Sequence, residues 1–495
     1  MSDINFEKFK SGSDIRAKAS ELTTDVLKKI CFGFATWIHE EKDIRFENQV
    51  ISIGTDSRIS NTRIKNIIIN MFRSLGIFVY DCQLASTPAI SMAVKLLSCS
   101  AAIEITASHM PAEYNGLKFF SDNGSLQSED IQKILKFAQN KNILNNNNYK
   151  IGQVKHADII SKYCNMLIKL VTDTFSNNKQ KPFKNLSIIV DASNGAGGFF
   201  AEKVLKVLGA DVSHSVLLEP DGNFPVHAPN PDDMQALEYV RKIVLDTHAD
   251  LGIIFDADVD RIGIIDSKGQ IISKNSLLAL ASALVLRQYY NPGTVIVTDS
   301  VVSDYLEDFI TSLGGLQFRH KRGYINVINA AKQLNKSGLD CPLAIETSGH
   351  IAFRDHDFID DGAYFGIKVA IECIKLKQEN QTLSDLIKDF KISKESREIR
   401  IELKNKNTPI YEARNIIQKL KKDYINIKNC EIVRNNPEGI RLNFKNSDHM
   451  GWCILRKSIH EPMLVLYIES DISGGVSNIL AALSNIIINI KDLKL

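Results

Sequence analysis

Three aspartates, Asp256, Asp258 and Asp260, alternate with Ala257 and Val259 and are followed at once by Arg261. On a strand, all three carboxylates would share one face and repel. In a loop they can converge on a hard cation through oxygen ligands. An EF-hand would need Gly where Arg261 stands and Glu where Ser267 stands. Magnesium, which takes few carboxylates plus phosphate oxygens, is the better match. A second segment, Thr106–Gly116 (TASHMPAEYNG), sets Ser108 beside His109, with Lys118 just beyond. A serine hydroxyl is a weak nucleophile that needs a neighbouring base or charge, and a phosphoserine needs cations around it. In Glu346–His350 (ETSGH), Glu346 and Ser348 are two apart, so an extended chain would turn both toward vicinal hydroxyls of a sugar. Arg456–Pro462 (RKSIHEP) gathers Arg456, Lys457, Ser458 and His460, donors suited to phosphate. Each segment also has a plainer reading: a turn, a solvated acidic loop, a Ser-Gly turn and a basic hairpin connection.

In open α/β sheets ligands bind beyond the carboxyl ends of strands, and the surrounding pattern puts these segments there. Apolar runs at 50–54, 77–80 and 101–105 alternate with helical stretches at 62–75 and 88–97. The alternation recurs with strands expected at 186–191, 251–255, 262–266, 294–298 and 343–346. Helices are expected between them at 196–208, 234–245, 302–313 and 324–334. That order predicts an α/β chain with three similar mixed-sheet domains. The last stretch differs. Strands at 399–403, 439–444, 452–455 and 463–469, with helices at 411–421 and 476–490, predict a C-terminal α+β domain with an antiparallel sheet. The Asn-rich run 140–148 (NKNILNNNN) favours turns and marks the first boundary. A turn signal at 267–269 marks the second, and 391–398 the third, giving domains 1–150, 151–268, 269–392 and 393–495.

Composition allows this. The 495 residues are 44% hydrophobic and 24% charged, ordinary globular values. The formal charge of +2 gives no argument for a nucleic acid or a membrane surface as partner. Eight scattered cysteines without a C-x-x-C pair are expected to be reduced and mostly buried. The opening MSDINFEKFKSGSD lacks the apolar core of a signal peptide, and no run approaches membrane-helix length. A cytoplasmic setting is the expectation.

Taken in order, TASHMP, DADVDR, ETSGH and RKSIHEP resemble the α-D-phosphohexomutase superfamily, the phosphoglucomutases, phosphomannomutases and their relatives. Ser11–Arg16 (SGSDIR), Gly54–Ser60 (GTDSRIS) and Asp221–Pro231 (DGNFPVHAPNP) agree with it, so the resemblance covers nearly the whole chain. It implies four domains around a central cleft, each giving one loop. It implies an isomerase of carbohydrate metabolism that interconverts hexose 1-phosphate and hexose 6-phosphate, of glucose or mannose, through a 1,6-bisphosphate. Ser108 would carry the phosphoryl group and, with Asp256, Asp258 and Asp260, hold magnesium. Arg261 would face the transferring group, while Arg16, His109 and Lys118 line the site, Lys118 as a candidate acid/base. Lys321, Arg322, Gly323 and Tyr324 fall on a substrate loop. Glu346, Ser348 and His350 would meet the sugar, and Arg456, Ser458 and His460 the non-reacting phosphate. Glucose 1,6-bisphosphate is the implied activator. Met110, Ala257, Val259 and the Ile459–His460 pair depart from the commonest family pattern. A phosphoglucosamine mutase, a non-catalytic sugar-phosphate-binding protein of the same fold and a magnesium phosphatase are the competing readings.

Overall fold

The computed structural model describes residues 4–139, 150–175, 181–288, 291–403, 409–427, 429–445, 450–458, 463–487 and 493–494. The chain forms two compact units, residues 1–280 with 348–386, and residues 281–347 with 387–495.

The first unit is built on two sheets. In the larger, Val50–Thr55 lies between Phe78–Leu84 and Ala101–Ile105, all parallel. Tyr114–Ser121 returns antiparallel beside Ala101–Ile105, and Asp14–Lys18 pairs with it in turn. The inner strands are buried on both faces, as a position between helices requires, and are mostly apolar, with Ser52 and Glu104 among the polar exceptions. Helix Thr24–Lys42 covers one side. Thr23 caps its start by accepting the Val26 N–H, and Asp43 ends it in the left-handed conformation. Ile30, Phe34 and Ile38 point from this helix into the core with Phe72, Leu75 and Phe119. On helix Thr87–Leu96, Ser86 caps and Pro88 sits in the first turn, where its missing N–H costs nothing. The smaller sheet runs Ile188–Asp191, Leu251–Phe255, Ile262–Asp266 and Ile271–Ile272, with only the first pair parallel. The turn at 267–269 closes the hairpin between its last two strands.

The second unit also has two sheets. Leu316–Arg319, Val295–Thr298 and Leu343–Ile345 run parallel. The other is antiparallel, with Cys430–Ile432, Ile440–Phe444, Gly451–Lys457, Met463–Ser470 and Glu395–Leu403 in that spatial order and Leu493–Lys494 at its edge. Helices Pro409–Asp423 and Gly475–Ile487 complete an α+β domain whose core includes Ile401, Leu442, Leu455, Leu466 and Ile479. The three α/β sheets and the α+β end match the class expected from the sequence.

Several elements differ from expectation. Helix Gly362–Gln378 and strand Tyr114–Ser121 are additional. The helix expected at 196–208 is largely a wide-turn segment, Phe200–Leu205. All eight cysteines are free thiols, and seven are buried. Among the described residues no helix is long and apolar enough to cross a membrane. The Asn-rich run 140–148 lies outside the described residues, as does His460.

Candidate active site

The serine loop and the aspartate loop belong to the first unit, and the structure brings them together. Strand Ala101–Ile105 ends just before Thr106, whose Oγ1 accepts the Ser108 N–H at 2.8 Å and donates to Asp56 at 2.7 Å. Ser108 sits at φ 53, a left-handed conformation that costs a non-glycine residue energy and tends to occur at functional sites. Its side chain is buried, and its Oγ donates to Asp256 Oδ2 at 2.9 Å. Arg261 Nη2 donates to the same Oγ at 3.0 Å. His109 Nδ1 lies 3.4 Å away.

Asp256 follows strand Leu251–Phe255, and Arg261 precedes strand Ile262–Asp266. The loop between them is buttressed from below: the Ala196 N–H donates to Ala257 O at 2.8 Å, and the Gly362 N–H to Val259 O at 3.0 Å. Val259 takes φ 67, a strained position for a β-branched residue. All three aspartates are buried, and one oxygen of each lies within 4.8 Å of the others'. Thr87 fixes Asp258 twice, with its N–H on Asp258 O at 2.9 Å and its hydroxyl on Oδ2 at 2.6 Å. Lys118 Nζ is 2.7 Å from Asp258 Oδ2 and also bonds Asp260. The Oδ1 atoms of Asp258 and Asp260 are buried without a hydrogen-bond partner.

Those orphaned oxygens decide whether a cation belongs here. Buried carboxylate oxygens without a donor are costly, and hard oxygen donors suit magnesium. Burial and the neighbouring Asp260 charge push Asp256 well above the usual carboxylate range, against the opposing Arg261. Burial would also raise Asp260, but Lys118, His350 and Arg261 outweigh it and hold that carboxyl low. The donor set therefore fits a magnesium ion.

Around this centre the charges are ordered. The Arg261 charge, local desolvation and Arg16 keep the His109 imidazole well below its ordinary range, hence neutral near pH 7. His350 is driven the other way: burial lowers it, but Asp360 and Asp260 prevail and push it up to about 9. Its Nδ1 pairs with Asp360, which also accepts the Ile351 N–H at 3.1 Å. His350 thus lies in the aspartate cluster, together with Arg261. Arg16 pairs with Asp14 at 2.8 Å and leaves its Nε without a hydrogen-bond partner.

The second unit holds a cluster of its own. Glu346 Oε1 accepts the Gly323 N–H at 3.0 Å and lies 3.3 Å from Arg322 Nε. Asp299, at the carboxyl end of Val295–Thr298, accepts the Thr347 hydroxyl at 2.7 Å. Burial and the Glu346 charge push Asp299 up to about 7. Glu438 accepts the Arg322 N–H at 2.8 Å and the Ser300 hydroxyl. Arg456 is buried, with burial and nearby Arg322 lowering its pKa. Ser458 donates its N–H to Met463 O at 2.9 Å. Lys321 is exposed, and Tyr324 opens helix Tyr324–Lys336. The extended geometry expected for Glu346 and Ser348 is not found. The strand stops at Ile345, and residues 347–348 form a turn because Thr347 is drawn to Asp299. Ser348 Oγ is buried without a hydrogen-bond partner.

Comparison with known proteins decides the family. The models for phosphoglucomutase/phosphomannomutase α/β/α domains I, II and III match residues 7–144, 161–269 and 273–392. A Pseudomonas syringae pv. tomato protein named phosphomannomutase/phosphoglucomutase is 30% identical over 430 residues, spanning 87% of this chain and 85% of that one. The chain belongs to the phosphoglucomutase/phosphomannomutase family. As a phosphohexomutase it is an intramolecular phosphotransferase. A probable phosphoglucosamine mutase of Pyrococcus horikoshii is 26% identical over 97% of this phosphohexomutase and 98% of its own length. The crystal structure of a phosphoglucomutase/phosphomannomutase family protein from Burkholderia thailandensis shares the fold, with a TM-score of 0.81 at 24% identity, covering 99% of this chain and 100% of that one.

Sequence reasoning passed over Thr87, Asp360, Asp299 and Glu438. Thr87 sits inside an ordinary cap signal, Ser-Thr-Pro, and nothing in its spacing points 171 positions ahead to Asp258. Asp360 could have been suspected, because two adjacent acids precede an apolar helix and a helix start needs only one.

Proposed function

We propose that the chain interconverts hexose 1-phosphate and hexose 6-phosphate, of glucose or mannose, by way of a phosphoserine at Ser108 and a hexose 1,6-bisphosphate. One observation carries the proposal: Ser108 Oγ is held at 2.9 Å from Asp256 and 3.0 Å from Arg261, between a metal-type carboxylate cluster and a guanidinium. Asp256, Asp258 and Asp260, with an oxygen of the phosphorylated Ser108, would hold magnesium, which when bound neutralises charge on the transferring phosphoryl oxygens.

The protein's own groups do the positioning. Arg261 holds the phosphoryl group by charge-assisted hydrogen bonds. In the first transfer O6 of the sugar attacks phosphorus, its bond to Oγ breaks, the O6 proton goes to a base and Oγ regains a proton. Lys118 is the candidate acid/base for the sugar hydroxyl. The bisphosphate then turns around, and Ser108 takes the phosphoryl from O1. Neutral His109, 3.4 Å from Oγ, is placed to accept the serine proton at that step. Arg16 lines the site. Glu346, Ser348 and His350 would meet the sugar, together with the loop Lys321, Arg322, Gly323 and Tyr324. Arg456, Ser458 and His460 would grip the phosphate that is not reacting. Glucose 1,6-bisphosphate would re-prime dephosphorylated enzyme. The loops would belong to domains 1–150, 151–268, 269–392 and 393–495. A cytoplasmic setting, which keeps thiols reduced, suits the eight free cysteines.

The amino-sugar reading remains second because a relative named probable phosphoglucosamine mutase spans almost the same length. Coupled assays with glucose 1-phosphate, mannose 1-phosphate and glucosamine 1-phosphate, with and without glucose 1,6-bisphosphate, separate these readings. The expected result is magnesium-dependent turnover of the first two. No turnover of any of the three would refute a mutase.

A further inference from the structure

Two segments that carry the family resemblance, Gly54–Ser60 and Asp221–Pro231, take no part in the chemistry above. They meet beneath the serine loop. Arg58 has no exposed side-chain surface. Its Nη2 donates to the carbonyls of Ser108 at 2.6 Å and Met110 at 2.7 Å. Its Nη1 donates to Pro111 at 2.7 Å and Tyr114 at 3.0 Å, and Nε pairs with Asp56 at 3.1 Å. All three guanidinium nitrogens are therefore engaged, and four of the five bonds go to backbone of the serine loop. Asp56 closes the circuit through Thr106, whose hydroxyl receives the Ser108 N–H. Ser108 is thus tied at its carbonyl by Arg58 and at its N–H by the Thr106–Asp56 pair.

The other segment backs the guanidinium. The Phe224 ring centroid lies 5.3 Å from Arg58 Cζ. Gly222 lets the segment come so near that an added Cβ would stand 2.5 Å from Ser57 O and Ile59 N. His227 pins it with both ring nitrogens, on Asp191 at 2.8 Å and on Ala228 O at 2.8 Å.

We propose that Arg58, held between Asp56 and Phe224, is the positioning residue that keeps Ser108 Oγ on the Asp256–Arg261 pair in both the free and the phosphorylated enzyme. It touches no reacting atom. The inference rests on the reading of Ser108 as the phosphate carrier. A loop whose serine is held at φ 53 relaxes when its ties are cut. A relaxed loop misaligns the transfer and admits water. The oxygen of a water then bonds to phosphorus, the bond from phosphorus to Oγ breaks, a proton of that water passes to Oγ and inorganic phosphate leaves.

Arg58→Lys keeps the charge but replaces the planar fork with donors on a single atom, and Arg58→Gln is the second variant. Each full-length protein is phosphorylated with glucose 1,6-bisphosphate and assayed for kcat, KM, Tm and phosphate release without sugar. The expected result is a kcat about 100-fold lower, KM within about threefold, Tm close to wild type and phosphate release raised about tenfold. A folded variant with wild-type kcat and wild-type phosphate release overturns the proposal. So does a loss of kcat that merely follows the unfolded fraction, or unfolding of both variants, since either makes Arg58 a requirement of the fold alone. A wild-type control without turnover fails the serine reading itself and takes this inference with it.

Discussion

A serine hydroxyl has little reactivity of its own, and in the proposed reaction Ser108 would gain it from what surrounds Oγ. The carboxylate of Asp256 and the guanidinium of Arg261 lie on it, and a neutral imidazole lies close by. The aspartates that serve it are poorly compensated without a divalent ion, because two of their oxygens find no donor. Asp258→Asn should therefore weaken magnesium binding at least tenfold by calorimetry, on the order of 1–2 kcal/mol, while leaving Tm unchanged or raised. Collapse of the fold instead would make the aspartates structural. The His350–Asp360 pair gives a test with a sign. The folded-state pKa of about 9 lies above the imidazole's ordinary 6.5. Its stabilisation is thus complete below about pH 6.5 and lost as pH rises through about 9. In metal-free protein, His350→Asn should flatten the fall in Tm between these limits, a difference on the order of 2 kcal/mol. An unchanged slope would remove His350 as its source.

Strand ends, capped helix starts and close backbone approaches put those side chains in place. Gly33 on helix Thr24–Lys42 shows how tight the supporting layer is, since a Cβ there would stand 2.3 Å from Ile134 O of helix Ser128–Ala138. Gly33→Ala should cost about 1–3 kcal/mol, read as a lower urea midpoint at unchanged m, with KM unaffected. At this scale much was legible. Alternating apolar runs located Val50–Thr55, Ala101–Ile105, Leu251–Phe255 and Ile262–Asp266 closely, because strands buried on both faces read as continuous apolar stretches. Helix Gly362–Gln378 escaped notice. Its first residues, Gly362 to Ile367, are buried throughout, and only Lys368, Glu372 and Lys375 mark a narrow polar stripe at helical spacing. Ser108, the three aspartates and Arg261 were legible as clusters local in sequence. Thr87, Asp360 and the Arg58 ties were not, since their meaning lies in partners that only the fold supplies.

At the scale of the molecule, the second unit gathers Asp299, Arg322, Glu346, Glu438 and Arg456. There Arg441 joins the α+β sheet to the segment that follows Val295–Thr298. It donates to Ser300 O at 3.0 Å, Val302 O at 3.1 Å and Asp304 at 2.8 Å, with its guanidinium 3.4 Å from the Trp452 ring centroid. Burial lowers its pKa to about 10, and it still carries its charge at neutral pH. Arg441→Leu should cost that unit about 2–4 kcal/mol, leaving two carbonyls without a donor, and calorimetry should show its transition moving to lower temperature. An unchanged thermogram would deny Arg441 that joining role. The central claim concerns a phosphoryl group that moves on and off one serine. Peptide mass spectrometry after treatment with glucose 1,6-bisphosphate carrying isotope-labelled phosphoryl oxygens, followed by a rapid chase with excess unlabelled glucose 1-phosphate, addresses it directly. Labelled phosphate is predicted on Ser108 and should be exchanged for unlabelled phosphate during the chase at a rate no slower than kcat. Labelled phosphate on a different residue, or labelled phosphate on Ser108 that the sugar cannot exchange, would contradict the account.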